Sequence, residues 1–134
     1  MVVDPSKTRV VRRRAPKVPA AGQCRKLLEK RGCFVEVVER RLSGFLSRDA
    51  FGWMDLLVLQ PNADGVLGVQ ASTVAGDHLD KMLAWPGMKR WLEAGNRAEL
   101  WLLNRRMRPQ RWSVTFLALQ NGQVVAMAGT GCDA

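Results

Sequence analysis

Asp55 stands at the head of one apolar run, "WMDLLVLQ" (53–60), and Gln70 lies inside another, "VLGVQAST" (66–73). A carboxylate at the mouth of a core strand costs free energy unless something pairs with it. If the two runs lie side by side, Asp55 and Gln70 meet at one rim. Ser72, two residues beyond Gln70, then shares its face, because strand side chains alternate. Lys81 follows in a helical stretch, near enough in sequence to lean back over that rim. One acid, one amide oxygen, one hydroxyl and one amine about a common point suit a hard cation such as magnesium, which keeps several waters and binds phosphate. Each residue taken alone has a plainer reading. Asp55 caps a strand end or pairs with Arg48, Gln70 is a hydrogen-bonded sheet residue, and Lys81 is a solvated helix residue.

Positioning that set requires a sheet. "PNADG" (61–65) is a strong turn signal between the two runs and is short enough for an antiparallel hairpin. Upstream, "GQCRKLLEKRG" (22–32) has Cys24, Leu27 and Leu28 on one side and closes at Gly32, the pattern of a short amphipathic helix. "CFVEVVERRL" (33–42) reads as a strand with its charged face outward, and "SGFLSRDAFG" (43–52) as a loop. Downstream, "AGDHLDKMLAWPGMKRWLEAGN" (75–96) reads as helix, broken at Pro86. "AELWLLNRR" (98–106) is then a strand reached by a crossover, and "RWSVTFLALQ", "NGQ" and "VVAMA" form a last hairpin. The expected fold is α/β, a mixed central β-sheet flanked by helices with a C-terminal β-hairpin. Trp53, Trp85, Trp91 and Trp101 fall at apolar positions and are expected in the core, as is Trp112.

The 134 residues suffice for one domain with a core. Residues 1–21 read as a flexible basic arm and 22–134 as the folded domain. The arm carries Lys7, Arg9, Arg12, Arg13, Arg14 and Lys17 among helix-breaking prolines. Lys and Arg outnumber Asp and Glu by 21 to 12, a net charge of +9 that favours a polyanion. No apolar run is long enough for a membrane span, and no apolar stretch follows the N-terminal charges as in a secretory signal. The three cysteines lack CxxC spacing and read as reduced thiols of a cytoplasmic protein, bacterial or in a phage-infected cell. No GxSxG elbow, Walker-type loop or GxGxxG turn is present, and His78, the one histidine, has no marked partner for nucleophilic catalysis.

"RDAFGWMD" (48–55) followed by "GVQAST" (68–73), after a helix and a strand, resembles the PD-(D/E)XK, restriction-endonuclease-like nuclease superfamily, and within it Holliday-junction resolvases and small phage nuclease-like proteins. The resemblance spans roughly residues 22–106 and rests on order and spacing. It implies a magnesium- or manganese-dependent endonuclease acting on DNA, including branched DNA, and a symmetric dimer. It makes Asp55 the first acid of the motif and a metal ligand. Gln70 then stands where the family has its second acid and Ser72 where it has lysine, both departures. Lys81 becomes the substitute amine, Asp49 a further ligand if its loop folds back, and Glu29, or Gln23 in its place, the acid of the first helix. The catalytic set so implied is Asp55, Gln70, Ser72 and Lys81, and the metal set is Asp55, Gln70 and Asp49.

Basic clusters supply a nucleic-acid surface. "NRRMRPQRW" (104–112) offers Arg105, Arg106, Arg108 and Arg111, and arginine forks match phosphate geometry. Arg40, Arg41 and Arg48 extend that surface, and Arg12, Arg13 and Arg14 add affinity without reading sequence. DNA is favoured over RNA, and no membrane is implied. Three function classes remain: a metal-dependent nuclease, a catalytically degenerate binding module of the same fold, and a phage factor acting on a host protein complex.

Overall fold

The structure, a computed structural model, describes residues 19–41, 47–73 and 76–134. The side chains at 40, 41, 47 and 48 lie outside that description, as do residues 1–18 with Arg12, Arg13 and Arg14. Helix α1 (Ala20–Lys30) starts two residues before the expected boundary, so Ala20 and Ala21 belong to the domain and not to the arm. It buries Ala20, Cys24 and Leu28, a spacing of four that makes one stripe. Its end is a Schellman motif. The amide of Gly32 donates to Glu29 O at 2.9 Å and that of Cys33 to Leu28 O at 3.0 Å. Gly32 has φ 89°, a conformation that glycine adopts without a Cβ penalty.

The strands follow as β1 (Phe34–Val37), β2 (Arg40–Arg41), β3 (Ser47–Arg48), β4 (Leu56–Leu59) and β5 (Leu67–Ser72). Helices α2 (His78–Ala84) and α3 (Met88–Glu93) flank Pro86 as expected, and β6 (Arg97–Asn104), β7 (Arg111–Gln120), β8 (Gln123–Ala128) and β9 (Cys132–Asp133) complete the chain. Seven strands form one open mixed sheet in the order β1-β4-β5-β6-β7-β8, with β9 paired to the start of β7. The β5–β6 pair is parallel, joined by the α2–α3 crossover, and the other pairs of this sheet are antiparallel. β7 and β8 form the expected hairpin, although the chain then returns to β7 as β9.

Two clusters sandwich the sheet. Cys24 and Leu28 of α1 pack with Leu56, Val58, Val69, Trp101 and Trp112 on one face. Met82 of α2 and Met88 of α3 pack with Trp53, Met54, Ala98 and Leu100 on the other. The alternation Ala98, Leu100 against Trp101, Leu103 is the period-two signature of a strand covered on both faces. Gly68 is demanded by that packing, since a Cβ there would lie 2.6 Å from Trp53 Cη2 and 2.7 Å from Met54 Cε.

Three expectations need correction. The stretch 33–42 is not one strand: β1 stops at Val37, and Arg40–Arg41 pairs with Ser47–Arg48 in a separate two-stranded sheet, so the 43–52 stretch is not wholly loop. The exposed face is also not purely charged, because β1 is an edge strand whose Phe34 and Val37 are exposed along with Glu36. Finally, Trp53, Trp101 and Trp112 are buried, but Trp85 and Trp91 are only half-buried. They form an aromatic group with Trp53 and with the exposed Phe51, which stacks on Trp85 at 4.5 Å. Among the described residues no helix is long and apolar enough to cross a membrane.

Candidate metal centre at the rim of the sheet

The register of the β4–β5 hairpin decides what meets at its open end. Leu56 pairs with Val69, which sets Asp55 across from Gln70. Directly opposed residues of an antiparallel pair project to the same face. Accordingly, Gln70 Nε2 donates to Asp55 Oδ2 at 3.0 Å, and the amide of Ala71 donates to the same oxygen at 3.0 Å. Both side chains are buried, 4% and 5% exposed, so neither bond competes with bulk water.

Two further acids converge on Asp55. Val38 N–H donates to Asp55 O at 2.9 Å, the last contact that holds the chain beside β4, and Glu39 is the residue that follows. Asp49 comes from a tight turn in which Ala50 bridges Met54 and Gly52 N–H donates to Asp49 O at 3.1 Å. One carboxylate oxygen from each of Glu39, Asp49 and Asp55 lies within 4.8 Å of the others. Burial, followed by the hydrogen bond that the protonated Asp55 carboxyl donates to Asp49, pushes the Asp55 carboxyl up to about 8, against the Ala71 amide, which favours the charged form. The negative charges of Asp49 and Glu39 act in the same direction as burial. Two carboxyls that share a hydrogen bond must share a proton, and a divalent cation can take that proton's place. The donor set is hard oxygen throughout and fits magnesium or manganese.

The cluster lies at one side of a depression of about 370 Å³. Its walls are Pro19 and the first residues of α1 (Ala20, Ala21), the end of β5 with Thr73 after it, His78 at the start of α2 and Arg105 just beyond β6. Asp55, Gln70 and Ser72, the set expected from the two runs, line this depression, and so does Asp49, offered by the resemblance if its loop folds back. Lys81 does not line this depression. It is exposed and lies 3.6 Å from Asp77 one helical turn back, because α2 turns Met82 inward and leaves its neighbour outside. His78 occupies the wall where the helix amine was expected.

Glu29 is exposed, held by Arg25 at 3.3 Å, and sits nine residues along α1 from the turn that borders the depression, about 13 Å away. Gln23 faces a different hollow, with Lys26 and Lys30. Neither Glu29 nor Gln23 lines the depression, and the third acid beside Asp49 and Asp55 is Glu39. Glu39 was missed because "CFVEVVERRL" looks like one uninterrupted strand. The available signal was the clustering of charge in "VERR", where the apolar pattern stops.

The four loop arginines divide. Arg105 borders the acidic depression and, with Arg106 and Arg108, a second hollow. Arg111 lies 3.0 Å from Asp133 of β9 and lines neither. The side chains of Arg40, Arg41 and Arg48 lie outside the described residues. All three cysteines are free thiols, and burial raises those of Cys24 and Cys33. No protein-family model matches the chain, and comparisons with curated proteins and with solved structures return no match.

Proposed function

We propose that the protein is a divalent-cation-dependent nuclease on a restriction-endonuclease-like sheet, hydrolysing phosphodiester bonds in nucleic acid, DNA in preference to RNA. The observation that supports this reading is the convergence of Glu39, Asp49 and Asp55 oxygens within 4.8 Å in a depression that also has Arg105 on its wall. Acids that hold a cation beside a guanidinium suit an anionic phosphodiester. Glu39, Asp49 and Asp55 would hold the ion, and when bound a magnesium or manganese ion supplies Lewis acidity toward the phosphate and toward a water. Gln70 orients the Asp55 carboxylate through its amide. His78 also lines the depression, and its imidazole would carry a proton to or from a group bound there.

The test is cleavage of single-stranded, duplex and four-way-junction DNA with magnesium, manganese or chelator. Cleavage that needs the cation and falls at least about 100-fold in Asp55→Asn supports the reading. Cutting that survives chelator or the substitution overturns it.

One observation favours a second reading, a binding module without turnover. Asp55 Oδ2 already accepts two hydrogen bonds, and Gln70 and Ser72 stand where the family carries an acid and a lysine. Tight DNA binding with no cleavage under any of these cations would select it.

A further inference from the structure

The sequence assigns the arginines between β6 and β7 to a general nucleic-acid surface, and we propose more narrowly that this loop is a phosphate subsite. It would hold the nucleic-acid backbone one step along from the phosphodiester that faces the acids, and to that extent it rests on the nuclease reading. A hollow of about 600 Å³ opens there, lined by Thr73, Leu103, Asn104, Arg105, Arg106 and Arg108. Thr73 and Arg105 also line the acidic depression, so the two hollows share a wall. Charge reverses from one hollow to the other: three carboxylates line the first, Arg106 and Arg108 line the second, and Arg105 is shared. Among the described residues no acid lines the arginine side.

The loop is built rather than merely basic. Asn104 Oδ1 accepts the Arg106 amide at 3.0 Å. Arg108 Nη1 donates to the carbonyls of Arg105 at 2.6 Å and of Met107 at 3.0 Å. One arginine thus braces the backbone that carries the other two, and preorganisation lowers the entropy cost of binding an anion. An acidic peptide laid along the same path would bring its charges against Glu39, Asp49 and Asp55. A phosphodiester chain fits both sides, with one phosphate over the cation site and the next among the arginines.

The test is fluorescence anisotropy of a labelled twelve-nucleotide DNA strand in chelator, where binding is read without cleavage. Its companion is an abasic strand of equal length. Arg105→Ala and Arg106→Ala should each weaken binding about fivefold at low salt and lower the salt slope by about 0.7 between about 50 and 200 mM. Lys89→Ala removes the same charge from exposed α3 and should change binding less than about twofold. The abasic strand should bind within about threefold of the normal one, since contacts to phosphate read no base. Far-ultraviolet circular dichroism and thermal unfolding of each variant would exclude misfolding as the cause. An unchanged salt slope in both arginine variants overturns the proposal, as does loss of binding by the abasic strand. Manganese-dependent cleavage by the wild type is read separately. Arginine-dependent binding without cleavage sinks the nuclease reading and leaves the subsite, and cleavage with arginine-independent binding does the reverse.

Discussion

The two ends of the β4–β5 hairpin each meet an ionisable side chain, half-buried Arg97 of β6 at the turn and buried Asp55 at the rim, and handle it differently. At the turn end, Arg97 places one guanidinium nitrogen on Gln60 Oε1 while its Nε and Nη2 find no partner among the described residues. Neutral contacts close tightly around it. Val66 N–H donates to Asn96 Oδ1 at 3.0 Å, and Arg97 N–H donates to Val66 O at 2.8 Å. These hydrogen bonds tie the turn to the start of β6. At the rim end, Asp55 is ringed by Asp49 and Glu39 and relieves the repulsion by holding a proton. The turn end is therefore fixed and the rim end adjustable, by pH or by a cation. Strongly shifted groups of this kind concentrate at functional sites.

The largest expected effect breaks the fixed end. Gly65 has φ +74°, and a Cβ there would fall 2.1 Å from the Gly95 carbonyl oxygen. Gly65→Ala should cost about 3 kcal/mol in urea unfolding, through strain and displaced backbone.

The next probes the adjustable end. The Asp55 carboxyl rises from 3.8 to about 8 on folding. Between those values the native state keeps a proton that the unfolded chain gives up. The associated stability is thus full below about pH 4 and lost as pH climbs through about 8. Asp55→Asn should flatten this decline and be the more stable protein near pH 9, by about 2 kcal/mol. A parallel fall of both proteins over that range in denaturant titrations would show that Asp55 is not the group responsible.

A divalent cation should act on the same end. Manganese at about ten times its dissociation constant should stabilise the fold by about 1.4 kcal/mol, read as a rise in melting temperature. Its affinity should strengthen as pH rises toward 8, because the cation displaces the shared proton. Asp49→Asn should lose the shift. The smallest expected effect sharpens the boundary of the site. Lys81→Ala removes an exposed pair with Asp77 and should change stability by less than about 0.5 kcal/mol. A large loss of cleavage in that variant would return the helix amine to the rim.

The contrast also bears on what the residues disclosed beforehand. Gly32, "PNADG" and Pro86 each carry a local backbone constraint, and each marks a boundary the structure respects. The Asp55–Gln70 contact was legible because strand alternation and a short turn leave few registers open. Glu39 was not, because the departure of the chain after Val38 is set by a long-range amide bond to Asp55 and by β2–β3 pairing. Lys81 failed for a related reason. Nearness along the chain says nothing about the roll of a helix, and burial of Met82 decided that roll.

Phe51 carries φ 56°, an unusual setting for a bulky side chain, and its ring rests on Trp85. It stands two positions after Asp49, within the same turn. The placement of a ligand oxygen is thereby mechanically linked to an aromatic perch on the α2–α3 side of the sheet. A substitution that leaves every acid untouched, such as Phe51→Ser, would loosen the geometry of the cluster from a distance.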